Sequence, residues 1–167
     1  TTRVELVFAA PAGSNGDPSR IAADLQKVVE AFARMMGGLP LDRYVFLVVA
    51  DEQGDGGLEH AGSTLMRVPR DMFAKPDGYS RVDHLAAHEF FHLWNAKRLR
   101  DAALLPYDYR GEDYTRLLWF QEGFTETMEQ QALLRARLLA PDVYLRDLAT
   151  GWTAYLRKPG RNHSPLT

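Results

Sequence analysis

The sequence predicts an α+β chain, in which strand-like stretches occur in the first half and helical patterns fill the second. Apolar and polar residues alternate from Arg3 to Ala10, which is typical of a half-buried strand. A continuous apolar run from Tyr44 to Ala50 has the length and composition of a strand in a sheet interior. Apolar residues recur at helical spacing between Ile21 and Met36. With 167 residues, the chain is expected to form one domain over residues 1–167.

The boundaries of the first helix are marked by local signals. Asp17 and Pro18 are typical of an N-cap followed by proline at the first helical position, and Gly37 and Gly38 end the pattern. After the strand at 44–50 comes an acidic, glycine-rich loop. The stretch from Leu58 to Val68 is then expected to form an edge strand.

The second half predicts three helices. The first, from Ser80 to Arg98, is apolar on nearly all sides, which predicts that it is buried. A polar, aromatic loop leads to a long helix from Thr115 to Leu139. A final helix begins at Pro141 and reaches Arg157.

Composition excludes several classes of protein. There is no cysteine, which rules out disulfides, zinc ribbons and a thiol nucleophile, so that any metal site must use His, Asp and Glu. The net charge is −2 with both signs interspersed, and no nucleic-acid partner is expected. No apolar run has the roughly 18 residues that a membrane span requires. None of these three properties indicates a cellular compartment.

The predicted buried helix contains an HExxH motif, formed by His88, Glu89 and His92. Histidines four residues apart project from one face of a helix and can bind the same ion. Glu89 is placed to act on water as a general base rather than to bind the metal. The alternative is a pair of histidines that are hydrogen-bonded within a helical core.

HExxH supplies two ligands, so a third must come from elsewhere, and the next helix offers three glutamates on one stripe. Glu122 is the best candidate ligand, because it lies nearest the apolar end of that helix. Glu126, one turn further on, is expected to orient a ligating histidine. Alternatively, Glu126 and Glu129 belong to a solvated face. His84 is interpreted as a capping or orienting residue rather than a ligand.

Three ordered stretches together resemble the glycyl aminopeptidase family, zinc peptidases of the gluzincin type that often carry a PDZ domain. They are HEFFHLWNAKRLR (88–100), YTRLLWFQEGFT (114–125) and GGLEH (56–60). The resemblance implies a thermolysin-like catalytic domain with a truncated helical lobe, and a preference for N-terminal Gly or Ala. It also implies that His88, His92 and Glu122 bind one Zn²⁺ per chain and that Glu89 is the base. Family members have a β-rich domain before this region and a PDZ domain after it, so we expect the chain to be a piece of a longer protein.

The GGLEH stretch resembles a motif of related aminopeptidases in which a glutamate binds the free amine of the substrate. By this resemblance Glu59 binds the α-amine, while Gly56 and Gly57 allow the substrate to approach the backbone. The alternative is a plain turn before a strand. Lys97 and its neighbours after the HExxH motif either bind a carboxylate or a further domain, or favour the dipole of the helix end.

The sequence therefore predicts a zinc aminopeptidase catalytic domain that hydrolyses the first bond of a peptide substrate. An endopeptidase of the same fold, in which Glu59 is only structural, is one alternative. A non-catalytic fragment that binds metal or peptide is another.

Overall fold

The computed structural model describes residues 2–52, 54, 56–108 and 110–163, and its architecture is α+β, as predicted. A four-stranded sheet has the strand order β1-β2-β4-β3. Its strands are β1 (Arg3–Ala9), β2 (Arg43–Asp51), β3 (Gly56–Glu59) and β4 (Ser63–Pro69). The main helices are α1 (Pro18–Met36), α2 (Gly78–Phe91), α3 (Thr125–Ala136) and α4 (Pro141–Arg157).

The signals at the ends of α1 act as predicted. The Asp17 side chain accepts hydrogen bonds from the amides of Ser19 and Arg20, which have no partner within the helix. Gly37 ends the helix with φ of 74°, a left-handed conformation that glycine adopts without a steric penalty. The sequence therefore fixes both ends of this element locally.

Strand β2 lies inside the sheet, parallel to both β1 and β4, as its continuous apolar sequence predicts. Its residues Tyr44, Phe46, Val48 and Ala50 are buried. Phe90 of α2 contacts Tyr44 and Phe46 edge-on or tilted, with ring centroids 4.8 and 5.6 Å away. Burying a large apolar side chain contributes about 1.5–3 kcal/mol, so this packing anchors α2 on the sheet.

Two predicted elements are corrected in the region before and within α2. The stretch expected to form one edge strand, Leu58–Val68, is a hairpin, in which β3 occupies the edge and β4 lies inside. The helix expected over Ser80–Arg98 begins at Gly78 and ends at Phe91, because the chain turns there and the amide of Lys97 bonds back to the His92 carbonyl.

The helix expected over Thr115–Leu139 is also shorter than predicted. It begins with a π-helical turn, Trp119–Phe124, and continues as α3 to Ala136. Arg137 then adopts a left-handed φ of 59°, which ends the helix. In contrast, the range of α4 agrees with the prediction. Among the described residues, no helix is both long and apolar enough to cross a membrane.

A buried carboxyl between α1 and α2 predicts that stability falls as the pH rises. Asp83 is 7% exposed, and burial, together with the nearby charge of Asp24, raises its pKa from 3.8 to about 7. The proton favours the folded state, so the contribution is complete below about pH 4 and is lost as the pH rises to about 7. A shift of about three units corresponds to at most about 4 kcal/mol.

We therefore expect Asp83→Asn to flatten the loss in free energy of unfolding between about pH 4 and pH 7, measured by urea denaturation of the metal-free chain. Above pH 7 this variant should be more stable than the wild type. Asp71→Asn, at an exposed position, is the control and should retain the wild-type slope. Parallel curves for wild type and Asp83→Asn would contradict the prediction.

Candidate metal centre

The HExxH motif lies at the C-terminal end of α2, where the helix passes beside both β3 and α3. His88 and Glu89 are in the last turns of the helix, and His92 is the first residue beyond it, still in helical conformation with φ of −57°. The two imidazole rings therefore remain on one face, with centroids 4.8 Å apart.

Three side-chain donors converge between α2 and the π-helical turn. His88 Nε2 lies 3.2 Å from Glu122 Oε2, and His92 Nε2 lies 3.8 Å from the same oxygen. His88, His92 and Glu122 each offer one donor atom within 4.8 Å of the other two. The structure thus brings together the three residues that the sequence predicts as ligands.

The arrangement fits zinc in both chemistry and spacing. Nitrogen and carboxylate ligands at about 2.0–2.2 Å in a tetrahedron lie about 3.3–3.5 Å from each other, close to the distances here. Burial lowers the pKa of His88, but hydrogen bonds with Glu122 and Glu129 and the charge of Glu89 together raise it to about 10. A potential that holds a proton this firmly also attracts a metal cation.

Glu129 contacts the second nitrogen of His88. Its Oε2 lies 3.1 Å from His88 Nδ1, and its Oε1 lies 2.6 Å from Nδ1 of His84. Burial acts to raise the pKa of Glu129, but these two hydrogen bonds and the charges of the two histidines together lower it. The carboxylate therefore stays ionised and orients His88, leaving Nε2 toward Glu122.

This contact was expected of Glu126, which instead lies exposed on α3. Glu129 is buried, so it does not belong to a solvated face. His84 takes an orienting position, since its Nδ1 contacts the same Glu129 carboxylate that contacts His88. The sequence indicated the stripe of three glutamates but not which of them faces α2.

His92 is oriented by the backbone. Its Nδ1 lies 2.8 Å from the carbonyl oxygen of Asn95, in a buried position. Because a carbonyl only accepts, Nδ1 carries the proton and Nε2 is left as the free donor atom. Both histidines thus present Nε2 to Glu122.

Glu89 is held against the edge strand β3. A Cβ at Gly57 would overlap the Glu89 carboxylate, so only glycine permits this approach. Glu89 Oε2 is buried and has no hydrogen-bond partner among the described residues. Burial, reinforced by the charges of Glu59 and Glu122, raises the pKa of Glu89 to about 7. An unpartnered carboxylate with this pKa is suited to accept a proton near neutral pH.

Glu59 ends β3 close to the same centre. Glu59, Glu89 and His92 offer ligand-type atoms within 4.8 Å of one another. Glu59 Oε1 also lies 3.1 Å from Lys97 Nζ, in an ion pair that sequence reasoning did not specify. Gly56, the first residue of β3, has φ of 131°, which favours glycine.

Comparison with known proteins identifies the family. The model of the M61 glycyl aminopeptidase family matches residues 81–167, which include most of α2, the π-helical turn and α3. The chain belongs to the M61 glycyl aminopeptidase family. This M61 chain is also similar to a solved structure, an aminopeptidase N family protein from Idiomarina loihiensis, with 35% identity and a TM-score of 0.75.

That match covers 84% of this M61 chain and 24% of the Idiomarina protein, so the chain spans about a quarter of that protein's length. A search of curated proteins gives no significant match. The family match and the similarity to the Idiomarina structure both indicate a peptidase. The fold that surrounds His88, Glu89 and His92 is shared with that structure, which is described as an aminopeptidase N family protein.

Proposed function

We propose that this chain carries the catalytic centre of a zinc-dependent aminopeptidase with a thermolysin-like, gluzincin arrangement. One observation carries the proposal: His88, His92 and Glu122 each offer one ligand atom within 4.8 Å of the other two, beside an unpartnered Glu89 oxygen. His88, His92 and Glu122 would hold one Zn²⁺. When bound, the ion supplies a Lewis acid that activates water and polarises a peptide carbonyl.

In this proposal Glu89 moves the proton. Its free Oε2 accepts a proton from water as the water attacks the carbonyl, and then delivers it to the leaving nitrogen. In the metal-free chain, burial raises the pKa of Glu89 to about 7, which favours proton exchange near neutral pH. Because Gly57 has no side chain, the Glu89 carboxylate can occupy this position against β3.

The substrate would lie along β3. This strand is at the end of the sheet order, so one of its edges is available to an extended peptide, and backbone hydrogen bonds would fix the register. Glu59, at the end of β3, would then meet the N-terminal ammonium group. Preference for N-terminal Gly or Ala, expected from the family, is part of this proposal.

The Glu59–Lys97 ion pair favours a second candidate, an endopeptidase of the same fold. Lys97 already neutralises Oε1 of Glu59, and in an endopeptidase this pair would be purely structural. In the aminopeptidase, the ammonium would bind Oε2 of Glu59, while Lys97 holds Oε1. The two candidates differ in their need for a free amine.

The test compares peptides with a free N-terminal Ala or Gly with their N-acetylated forms, using the full chain. We expect the free peptides to be cleaved faster, and Glu59→Gln to lower kcat/KM for them about 30-fold or more. The half-buried Glu59 carboxylate would be covered by the bound substrate, and losing one partner of a charge pair that is then buried costs about 2 kcal/mol or more. Glu52→Gln, an exposed carboxylate away from the centre, is the control and should change nothing. Equal cleavage of acetylated peptides, unaffected by Glu59→Gln, would contradict the aminopeptidase and support the endopeptidase.

A further inference from the structure

Asn95, in the turn that follows α2, contacts two separate parts of the metal centre. Its side chain is 1% exposed. Nδ2 lies 3.0 Å from the carbonyl oxygen of Phe120, 3.1 Å from that of Gln121 and 3.0 Å from Oγ1 of Thr125. These acceptors all belong to the π-helical turn or to the residue directly after it.

Side-chain donors reach two carbonyls of the π-helical turn. In a π-helical turn the backbone amides shift to more distant carbonyls, and such wide turns are rare and occur mostly at functional sites. Buried carbonyls left without an amide partner cost free energy unless a side chain satisfies them. The amide of Asn95 donates to the carbonyls of Phe120 and Gln121, the two residues directly before Glu122, and the Thr125 hydroxyl donates to the Gln121 carbonyl as well.

The backbone of Asn95 holds the other part of the centre. Its carbonyl oxygen accepts the hydrogen bond from His92 Nδ1 at 2.8 Å. The next residue, Ala96, has φ of 126°, which is costly for a residue other than glycine, so the surrounding contacts must fix this turn. This costly conformation of Ala96 occurs in the same turn that brings the Asn95 carbonyl to His92.

We propose that Asn95 is a positioning residue of the metal centre, which fixes Glu122 against His92 by holding the π-helical turn with its side chain and the imidazole with its carbonyl. The proposal rests on the proposed zinc site. Asn95 thus hydrogen-bonds both the His92 imidazole and two backbone carbonyls directly before Glu122. In this proposal the buried Asn95 sets the distance between His92, which follows α2, and Glu122, in the π-helical turn.

The test is a double-mutant cycle on zinc affinity in the full chain, measured by competition with a chelating dye. Asn95→Asp keeps the shape but removes the N–H donors, and we expect it to weaken zinc binding about 10–100-fold. Asn95→Ser, which adds no charge, should weaken binding in the same direction. In a Glu122→Ala background, either change should cost less than about 3-fold, because its effect acts through Glu122.

Asn15→Asp, at an exposed asparagine, is the matched control and should bind zinc as the wild type does. Circular dichroism of the metal-free variants checks that they fold. If Asn95→Asp does not fold, the zinc affinity of Asn95→Ser decides the outcome. Wild-type affinity in the Asn95 variants, or an equal cost in the Glu122→Ala background, would overturn the proposal. If Glu122→Ala itself leaves zinc affinity unchanged, the proposed zinc site fails instead.

Discussion

Glu89→Gln should lower kcat for peptide hydrolysis about 10³-fold while zinc stays bound, because general-base catalysis contributes about 10²–10⁴-fold and glutamine cannot accept the proton. The substitution keeps the shape of the side chain beside Gly57 and removes only its basicity. Glu89 is not one of the three proposed zinc ligands, which are His88, His92 and Glu122. The zinc content of Glu89→Gln should therefore be unchanged.

This expectation is checked by steady-state hydrolysis of a peptide with a free N-terminal alanine and by metal analysis of the same samples. Glu126→Gln is the matched control, since it makes the same chemical change on exposed α3 and should leave both readouts at wild-type values. Retained turnover in Glu89→Gln would remove Glu89 from the role of base.

Gly57→Ala should lower kcat about 10²-fold without loss of zinc. The added Cβ would occupy space that the Glu89 carboxylate fills, so that the carboxylate must move, and a displacement of about 1 Å at a reacting group costs about 10²-fold. The same hydrolysis and metal assays test this prediction.

The control for this variant is Gly62→Ala in the same hairpin. There the new Cβ would be 3.7 Å from the Arg43 carbonyl oxygen, an ordinary contact, and wild-type kcat is expected. An unchanged kcat in Gly57→Ala would mean that the position of Glu89 against β3 is unimportant for the chemistry.

Local signals in the sequence predicted much of the fold. Asp17, Pro18 and Gly37 determine the ends of α1 through short-range hydrogen bonds and backbone conformation, which are readable from neighbouring residues. The position of β2 inside the sheet follows from its apolar residues alone. The sequence predicts one strand where the structure has the hairpin of β3 and β4, because its turn at 60–62 lacks a strong turn dipeptide.

The part of the candidate centre that depends on spacing along one helix can be predicted from the sequence. His88 and His92 share a face of α2 by spacing alone, and their convergence with Glu122 follows the motif pattern. The roles of Asn95 and Lys97 depend on contacts between distant elements, which no local pattern encodes. The π-helical turn left no recognisable signal in the sequence.

The choice between Glu126 and Glu129 depended on tertiary packing. Both lie on the stripe that begins at Glu122, but only the carboxylate of Glu129 is buried against His84 and His88 on α2. The side of α3 that faces α2 is set by the packing of the two helices and by the wide turn before α3. Sequence spacing alone gave no means to choose between them.

The central claim is that His88, His92 and Glu122 form a zinc site, and metal content tests it most directly. Chelator-free, gel-filtered wild type and Glu122→Ala are analysed in parallel by elemental mass spectrometry. We predict about one zinc per chain in the wild type and its loss in Glu122→Ala, because a structural or catalytic zinc site needs at least three protein ligands. Wild-type protein that contains no zinc, even after zinc is added back, would contradict the claim.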